Sequence, residues 1–210
     1  MNDGQEQRRA KGTAVRSDVR TRLLDATISV LDTAGPEAAT SRAIADAAGE
    51  NLASITYYFG SKRELVNEAM ITATRRLIQP VVVEFADDGR DSIAKLLSAV
   101  QQLYRILDAH GTLLGPYVQS LAAAATHDAI ATEVRSLHRE LASVLAAEIS
   151  AQQHQGLLPD WVDPDSMAQL IVSLVNGVAV SIAIDPDETH PTAVGSQFAQ
   201  LLLSVRAPTP

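Results

Sequence analysis

The sequence predicts an all-α protein of about nine helices, and three observations carry that prediction. Aromatic residues make up only 4% of the chain and hydrophobic residues 46%, most of them alanine and leucine, which favour helix over strand. Apolar residues recur at helical spacing, as at Leu24, Ile28 and Leu31. Helix stop and start signals separate these periodic segments, and no segment alternates as a strand would.

Three short helices are expected first, over about 17–34, 41–48 and 52–59. Gly35-Pro36 ends the first of them, because proline cannot continue a helix. Gly49 ends the second, since its missing Cβ permits the left-handed backbone of a sharp stop. Asn51 is then a good N-cap for the third helix.

Longer helices follow these three. Ser61-Lys-Arg-Glu64 is a capping box that starts a fourth helix, and Pro80 is expected to kink or end it. Asp163-Pro164 combines a capping aspartate with a proline in the first helical turn, which is a strong start signal. The other predicted helices cover about 92–109, 116–125, 128–155, 164–184 and 191–205.

The chain is expected to divide into a basic, disordered tail (residues 1–16), a head (residues 17–62) and a helical remainder (residues 63–210). Residues 1–62 contain eight Lys or Arg and eight Asp or Glu, whereas residues 63–210 contain nine and seventeen, so the net charge of −8 lies in the remainder. The head is therefore available to an anionic partner. A solvated acidic surface with a disordered tail explains the charge equally well.

Several classes of protein are not expected. There is no cysteine, which excludes disulfides and thiolate metal sites, and residues 1–16 have no apolar segment typical of a signal peptide. The longest apolar stretch, Leu170 to Ile184, is interrupted by polar residues and is expected to be too short and too polar to span a bilayer. The five histidines have no spacing typical of metal binding or catalysis. We expect a cytoplasmic protein that is not an enzyme and carries no metal or cofactor.

The second and third helices form a pair joined by a short glycine turn, the helix-turn-helix arrangement whose second helix can enter the major groove of DNA. Ser41 and Arg42 start one helix and Lys62 starts the next, where free N–H groups and cations suit phosphates. Hydroxyls and rings crowd the helix between them, at Ser54, Thr56, Tyr57 and Tyr58. Alternatively, Tyr58 and Phe59 are core residues and Tyr57 is half-buried, and short helix pairs are common.

Residues 20–66 resemble the DNA-binding domain of the TetR family of transcriptional regulators. The matching residues are Thr40-Ser41-Arg42, Ile44-Ala45, Ala48-Gly49, Tyr57-Tyr58-Phe59, Gly60-Ser61-Lys62 and Glu64-Leu65. The resemblance implies DNA contacts by Ser41, Arg42, Ser54, Thr56, Tyr57, Tyr58 and Lys62. Two residues depart from the pattern, because Glu50 stands where the family usually has an apolar residue and Leu52 where some members read a base.

The resemblance also implies a helical regulatory domain, with a ligand cavity between its central helices and a homodimer formed by its last two. The stretch Leu170 to Ile184 is apolar nearly all round, so more than one of its faces must be covered. The residues expected in the dimer interface are Ser173, Gly177, Ser181, Phe198, Leu201 and Leu202. Alternatively, both helices bury only against their own chain.

Polar or amphipathic residues on otherwise apolar helices are candidates for the ligand cavity. They are Gln101, Tyr104, Tyr117, Gln119 and Asn176, although each could equally be a satisfied core or surface residue. The function that follows is a sequence-specific regulator, in this family most often a repressor, which a small molecule releases from a palindromic operator in double-stranded DNA. A helical small-molecule-binding protein or enzyme that has lost DNA binding is the alternative, and a DNA-binding protein without an effector is a third.

Overall fold

The computed structural model describes the backbone of residues 3–86 and 113–204, and the side chains of residues 17–85 and 113–201 except Ala199. Within these ranges there are eight helices and no strand, which confirms the all-α prediction. The helix predicted over 92–109 lies outside the described residues. The eight are α1 (Asp3–Ala38), α2 (Ser41–Ala48), α3 (Leu52–Phe59), α4 (Lys62–Ala86), α5 (Leu114–Ala124), α6 (Asp128–His154), α7 (Pro164–Ile184) and α8 (Pro191–Ser204).

Helix α1 is longer than the sequence predicts. It begins at Asp3, whereas residues 1–16 are expected to be disordered, and no proline interrupts its first half. Its regular part ends as predicted, because Gly35 adopts φ 78° and ψ 176°, outside the helical region. Pro36 then opens a last short turn, which runs to Ala38.

The α2–α3 turn is capped at each end, as the sequence predicts. Gly49 has φ 64°, and the next N–H, that of Glu50, donates to the Ala45 carbonyl at 2.9 Å, which closes α2. The Asn51 side chain accepts a hydrogen bond from the Ala53 N–H at 2.6 Å and so caps α3. These local bonds fix the direction in which α3 leaves the turn.

Helix α4 starts at its capping box and passes through Pro80 without ending. The Ser61 hydroxyl accepts a hydrogen bond from the Glu64 N–H at 3.1 Å, as predicted. The helix continues for six residues beyond Pro80, to Ala86. Leu77, Ile78, Val82 and Phe85 on both sides of the proline are buried, so packing of this segment offsets the backbone hydrogen bond that proline cannot make.

Two core clusters hold the bundle together. The first contains Leu23, Leu24, Ile28, Leu31, Ala39, Ile44, Ala45, Ile55, Phe59, Leu65, Ala69, Met70, Ala73, Ile130 and Val134. It therefore includes not only the head but also the first half of α4 and two residues of α6. The second cluster contains Leu77, Ile78, Val82, Phe85, Tyr117, Leu137, Leu141, Leu145, Ile149, Val162, Ala168, Val172 and Ala179, from α4 to α7.

Helix α7 has one covered face and one uncovered face. Ala168, Val172 and Ala179 are buried against the bundle, whereas Leu170, Val180 and Ile184 are exposed. The helix has the length and composition of a membrane span, with only 22% of its most apolar window buried, although the sequence suggests that it is too polar. A single such helix is also typical of soluble helical bundles, and α7 packs on α5 and α6.

Candidate nucleic-acid interface and ligand cleft

Helix α3 presents a polar and aromatic face to solvent. Tyr57 is 64% exposed, and Thr56 and Leu52 are exposed beside it. Ile55 and Phe59, on the opposite face, are buried in the first core cluster and orient the helix. The face is therefore available to a partner without disturbing the core.

Tyr58 is a half-buried residue that lies between these two faces. It packs against the first core cluster, and its ring meets that of Tyr57 edge to face, with 4.9 Å between centroids. The interpretation of Tyr58 as a core residue and its interpretation as a surface residue therefore each describe part of its environment. Ser54 is likewise half-buried, so Thr56 and Tyr57 are the most accessible of the candidates on α3.

Cations lie at the starts of the helices on either side of α3. Arg42 is exposed at the beginning of α2 and Lys62 at the beginning of α4. Neither has an ion pair in the part of the chain that the structure describes. Ser41, which precedes Arg42, is half-buried at the N-terminus of α2, whose first N–H groups can donate to an anion.

Glu50, the acidic residue in the turn, is neutralised within the head. Its Oε1 accepts hydrogen bonds from the Arg22 guanidinium, at 2.5 Å from Nη2 and 3.2 Å from Nε, and Arg22 also contacts Asp18. These two carboxylates raise the pKa of Arg22, with the bond to Glu50 as the larger cause. The departure from the family pattern thus ties the turn to α1.

A polar cluster between α5, α6 and α7 joins two of the predicted cavity residues. Tyr117 is almost fully buried, and its hydroxyl donates a hydrogen bond to Asn176 Oδ1. The same hydroxyl lies 3.2 Å from His138 Nε2. Burial raises the pKa of Tyr117 and lowers that of His138, so both are neutral near pH 7.

An open cleft of about 500 Å³ adjoins this cluster. Its lining residues come from α5, α6 and α7 and are Leu121, Ala124, Ala131, Val134, Arg135, His138, Arg139, Ala142, Gln169 and Asn176. Such a volume is within the range of small-molecule sites. Asn176, a predicted cavity residue, lines the cleft. Tyr117 is not among the lining residues but holds Asn176 through the hydrogen bond from its hydroxyl.

Gln119 does not belong to this cleft. Its Nε2 donates to the Leu31 carbonyl on α1 at 3.2 Å, and its Oε1 is buried without a hydrogen-bond partner among the described residues. One turn earlier, the Gly115 N–H donates to Asp32 Oδ1 at 3.1 Å. Gln119 therefore joins α5 to α1 instead of binding in the cleft. Of the other predicted cavity residues, Gln101 and Tyr104 lie outside the described residues.

The predicted dimer residues lie on exposed helix faces. Ser173, Gly177 and Ser181 follow one another along the uncovered side of α7, and both hydroxyls donate to carbonyls of their own helix. Phe198 is half-buried and Leu201 is 56% exposed on α8, which packs closely against none of the other described helices. The Leu202 side chain lies outside the described residues.

Comparison with known proteins gives two family matches. A model described as bacterial regulatory proteins, tetR family, matches residues 23–69. Another, described as the C-terminal part of BetI-type transcriptional repressors, matches residues 113–205. The chain belongs to the TetR family. This confirms the resemblance that the motifs of the head indicate.

Individual TetR-family relatives are distant. The HTH-type transcriptional regulator BetI of Cronobacter sakazakii is 29% identical over 130 residues, which is 61% of this chain and 64% of that protein. A transcriptional regulator from Saccharomonospora viridis, solved in complex with choline, is 18% identical with a TM-score of 0.79, covering 92% of this chain and all of the other. A TetR transcription regulator from Haloarcula marismortui is 19% identical with a TM-score of 0.78, covering 91% of this chain and all of the other. The two structures share the fold.

The sequence did not indicate two features of this TetR-family site. One is the set of cations in the cleft, Arg135 and Arg139, although their spacing of four residues places them on one helix face. The other is the role of His138, whose partner Tyr117 is 21 residues away and could not be inferred from local spacing. No group of side chains suited to a metal ion occurs in the described ranges.

Proposed function

We propose that this protein is a sequence-specific DNA-binding transcriptional regulator, and in the first instance a repressor. The observation that carries the proposal is the exposed face of α3, with Arg42 and Lys62 at the helix starts on either side, where neither pairs with a carboxylate of the described residues. Membership of a family of regulatory proteins supports it, and so does the match to BetI-type repressors. A protein acting on chromosomal DNA in a bacterium would work in the cytoplasm.

In this proposal α3 enters the major groove. Thr56 and Tyr57 would contact base edges or backbone there, with Ser54 and Tyr58 at the margins of the contact. Ser41, Arg42 and Lys62 would bind phosphates on each side of the groove. Glu50 would make no DNA contact, because Arg22 already holds its carboxylate.

The functional unit proposed is a homodimer on a palindromic operator. The uncovered apolar face of α7 and the loosely packed α8 support dimerisation, since such a surface is costly to leave in water. Two-fold symmetry would place the two copies of α3 in successive major grooves, about 34–36 Å apart. An effector that favours another spacing would release the DNA.

The effector would act from the cleft through α5 and α4. Helix α5 carries Tyr117 beside the cleft and holds α1 through Gly115 and Gln119. A ligand can shift the protein only by its differential affinity for the DNA-bound and free conformations. A small displacement of α5 on binding would change how α1, and with it the head, is held.

The test is DNA binding by the purified protein, measured by fluorescence anisotropy on fragments that tile the promoter upstream of its own gene. Lys62→Ala should weaken binding and reduce the slope of log K against log salt by about one, because one phosphate contact is lost. Arg63→Ala, on the neighbouring exposed side chain, removes the same charge and serves as the matched control.

Two results would contradict the proposal. One is the absence of any fragment bound in preference to the others at low salt. The other is equal loss of affinity and of salt slope in Lys62→Ala and Arg63→Ala, which would indicate non-specific attraction to the head. If Tyr57→Ala and Lys62→Ala leave the biological activity unchanged, the alternative of a helical ligand-binding protein without DNA binding replaces it.

A further inference from the structure

The cleft has a cationic wall formed by one face of α6. The wall consists of Arg135, His138 and Arg139. They occupy positions i, i+3 and i+4, which lie on the same side of a helix. Both arginines are exposed and His138 is half-buried. No aspartate or glutamate is among the lining residues that the structure describes.

Neither of these guanidiniums has a carboxylate partner in the described part of the chain. Most arginines there do, with N–O distances of 2.5 Å for Arg20–Glu68, 2.7 Å for Arg76–Asp25 and 3.3 Å for Arg75–Glu133. Arg135 and Arg139 have no such partner there, although they belong to a segment, residues 63–210, in which acidic residues outnumber basic ones by seventeen to nine. Two like charges four residues apart on a helix also repel each other. Among the described residues, Arg135 and Arg139 therefore form a pair of guanidiniums without a carboxylate partner at the edge of a cavity.

The rest of the lining is apolar or neutral. Leu121, Val134 and Ala142 supply aliphatic surface, and Gln169 and Asn176 on α7 supply neutral hydrogen-bonding groups on the other side. The arrangement matches a ligand with an apolar body and an anionic end, since guanidinium groups bind carboxylates through two parallel hydrogen bonds.

We propose that this cleft binds a small amphipathic anion, with a carboxylate held by Arg135 and Arg139 and an aliphatic or aromatic body on Leu121 and Val134. The inference rests on the proposed function, because it names the chemical class of the effector. It also distinguishes this protein from the choline complex of the Saccharomonospora viridis regulator. A quaternary ammonium is bound by aromatic faces, and the described lining residues include no Phe, Tyr or Trp.

Isothermal titration of the full-length protein, without DNA, tests the inference. The probes are octanoate, benzoate, the neutral 1-octanol and the cation octyltrimethylammonium. We expect octanoate or benzoate to bind at least tenfold more tightly than the neutral and cationic probes. In Arg135→Gln/Arg139→Gln the carboxylate affinity should fall at least tenfold, whereas Arg63→Gln, on an exposed arginine of α4, should leave it unchanged.

Three outcomes would overturn the inference. They are no binding of either carboxylate up to about 5 mM, tighter binding of the cation than of octanoate, or unchanged carboxylate affinity in the double variant. If the double variant forms monomers and its carboxylate affinity is unchanged, the arginines face a partner subunit and the inference also fails. If the double variant does not fold, the affinities of the wild-type protein for the anionic, neutral and cationic probes still test the inference.

The outcomes separate this inference from the proposed function. Carboxylate binding without any specific DNA complex would support the anion site and contradict the regulator. A specific DNA complex in a protein that binds no carboxylate would do the reverse. If both are observed, adding octanoate or benzoate to the protein–DNA complex should release the DNA.

Discussion

Gly177 on α7 gives the sharpest test of how this protein associates. A Cβ built at Gly177 meets no atom of the described residues within 4 Å, apart from the adjoining backbone of its own helix. In an isolated chain Gly177→Ala should therefore stabilise the protein by about 1 kcal/mol, because alanine has the higher helix propensity. For a domain of this size that gain raises the melting temperature by about 2–4 °C.

The proposed dimer predicts the opposite sign. If α7 packs on its partner at Gly177, as its exposed apolar neighbours suggest, the added methyl groups enter a close helix contact. Overpacking typically costs about 1–3 kcal/mol at each site, and two-fold symmetry places one site in each copy. The dimer loses about 2–6 kcal/mol, whereas the gain in propensity is the same in the folded monomer and in the dimer and cancels, so the dissociation constant should rise about thirtyfold or more.

Sedimentation equilibrium of wild type and Gly177→Ala measures this constant directly, and thermal melting at several protein concentrations gives the stability. Ser136→Ala, at an exposed position of α6, is the control for a helix-propensity gain away from α7. The reasoning is refuted if Gly177→Ala melts higher and dimerises as tightly as wild type. A wild type that stays monomeric at high concentration would refute it as well.

Two further predictions concern ionisable groups. Burial holds the pKa of His138 below its usual value, so unfolding takes up a proton as the pH falls below about 6.5, and stability that is complete above that pH is lost in acid. His138 lies beside Arg135, Arg139 and the Tyr117 hydroxyl. Between about pH 7.5 and 5.5 the melting temperature of His138→Gln should fall by less than that of wild type, and an equal fall would exclude protonation of His138 as a cause of the acid destabilisation. Glu50→Gln should slightly lower the melting temperature at low salt and by less at high salt, because salt partly screens the half-buried ion pair with Arg22; an unchanged difference at high salt would contradict this account.

The head could be predicted almost residue by residue because its signals are local. The left-handed Gly49, the caps at Asn51 and Ser61 and the bounds of α2 and α3 all follow from residues within four positions of each other. Pro80 shows where such reasoning stops, since a proline that ends an isolated helix is tolerated in α4 by burial on both sides. Tertiary packing overrides local propensity there.

The ligand cleft could be predicted only in part, because it depends on contacts between distant segments. Tyr117 and Asn176 stand out as polar groups on apolar helices, and the structure joins them across 59 positions. Gln119 has the same appearance in the sequence, yet it bonds to α1. The packing of α5 decides whether a residue faces the cleft or α1. This packing depends on segments that are distant in the sequence, so residues near Tyr117 and Gln119 do not reveal it.

The membership of Ile130 and Val134 in the first core cluster has a consequence for engineering this protein. Chimeric biosensors are made by exchanging the DNA-reading part of one regulator for that of another, with the junction placed at a domain boundary. Here a junction at Lys62 would separate the apolar interior of the transplanted part from the first half of α4 and from the two α6 residues that complete it, and a junction after α4 would still leave these two behind. A working chimera would have to carry matching residues at 130 and 134, and Val134 also lines the cleft, so exchanging the DNA-binding part would change the lining of the proposed effector site.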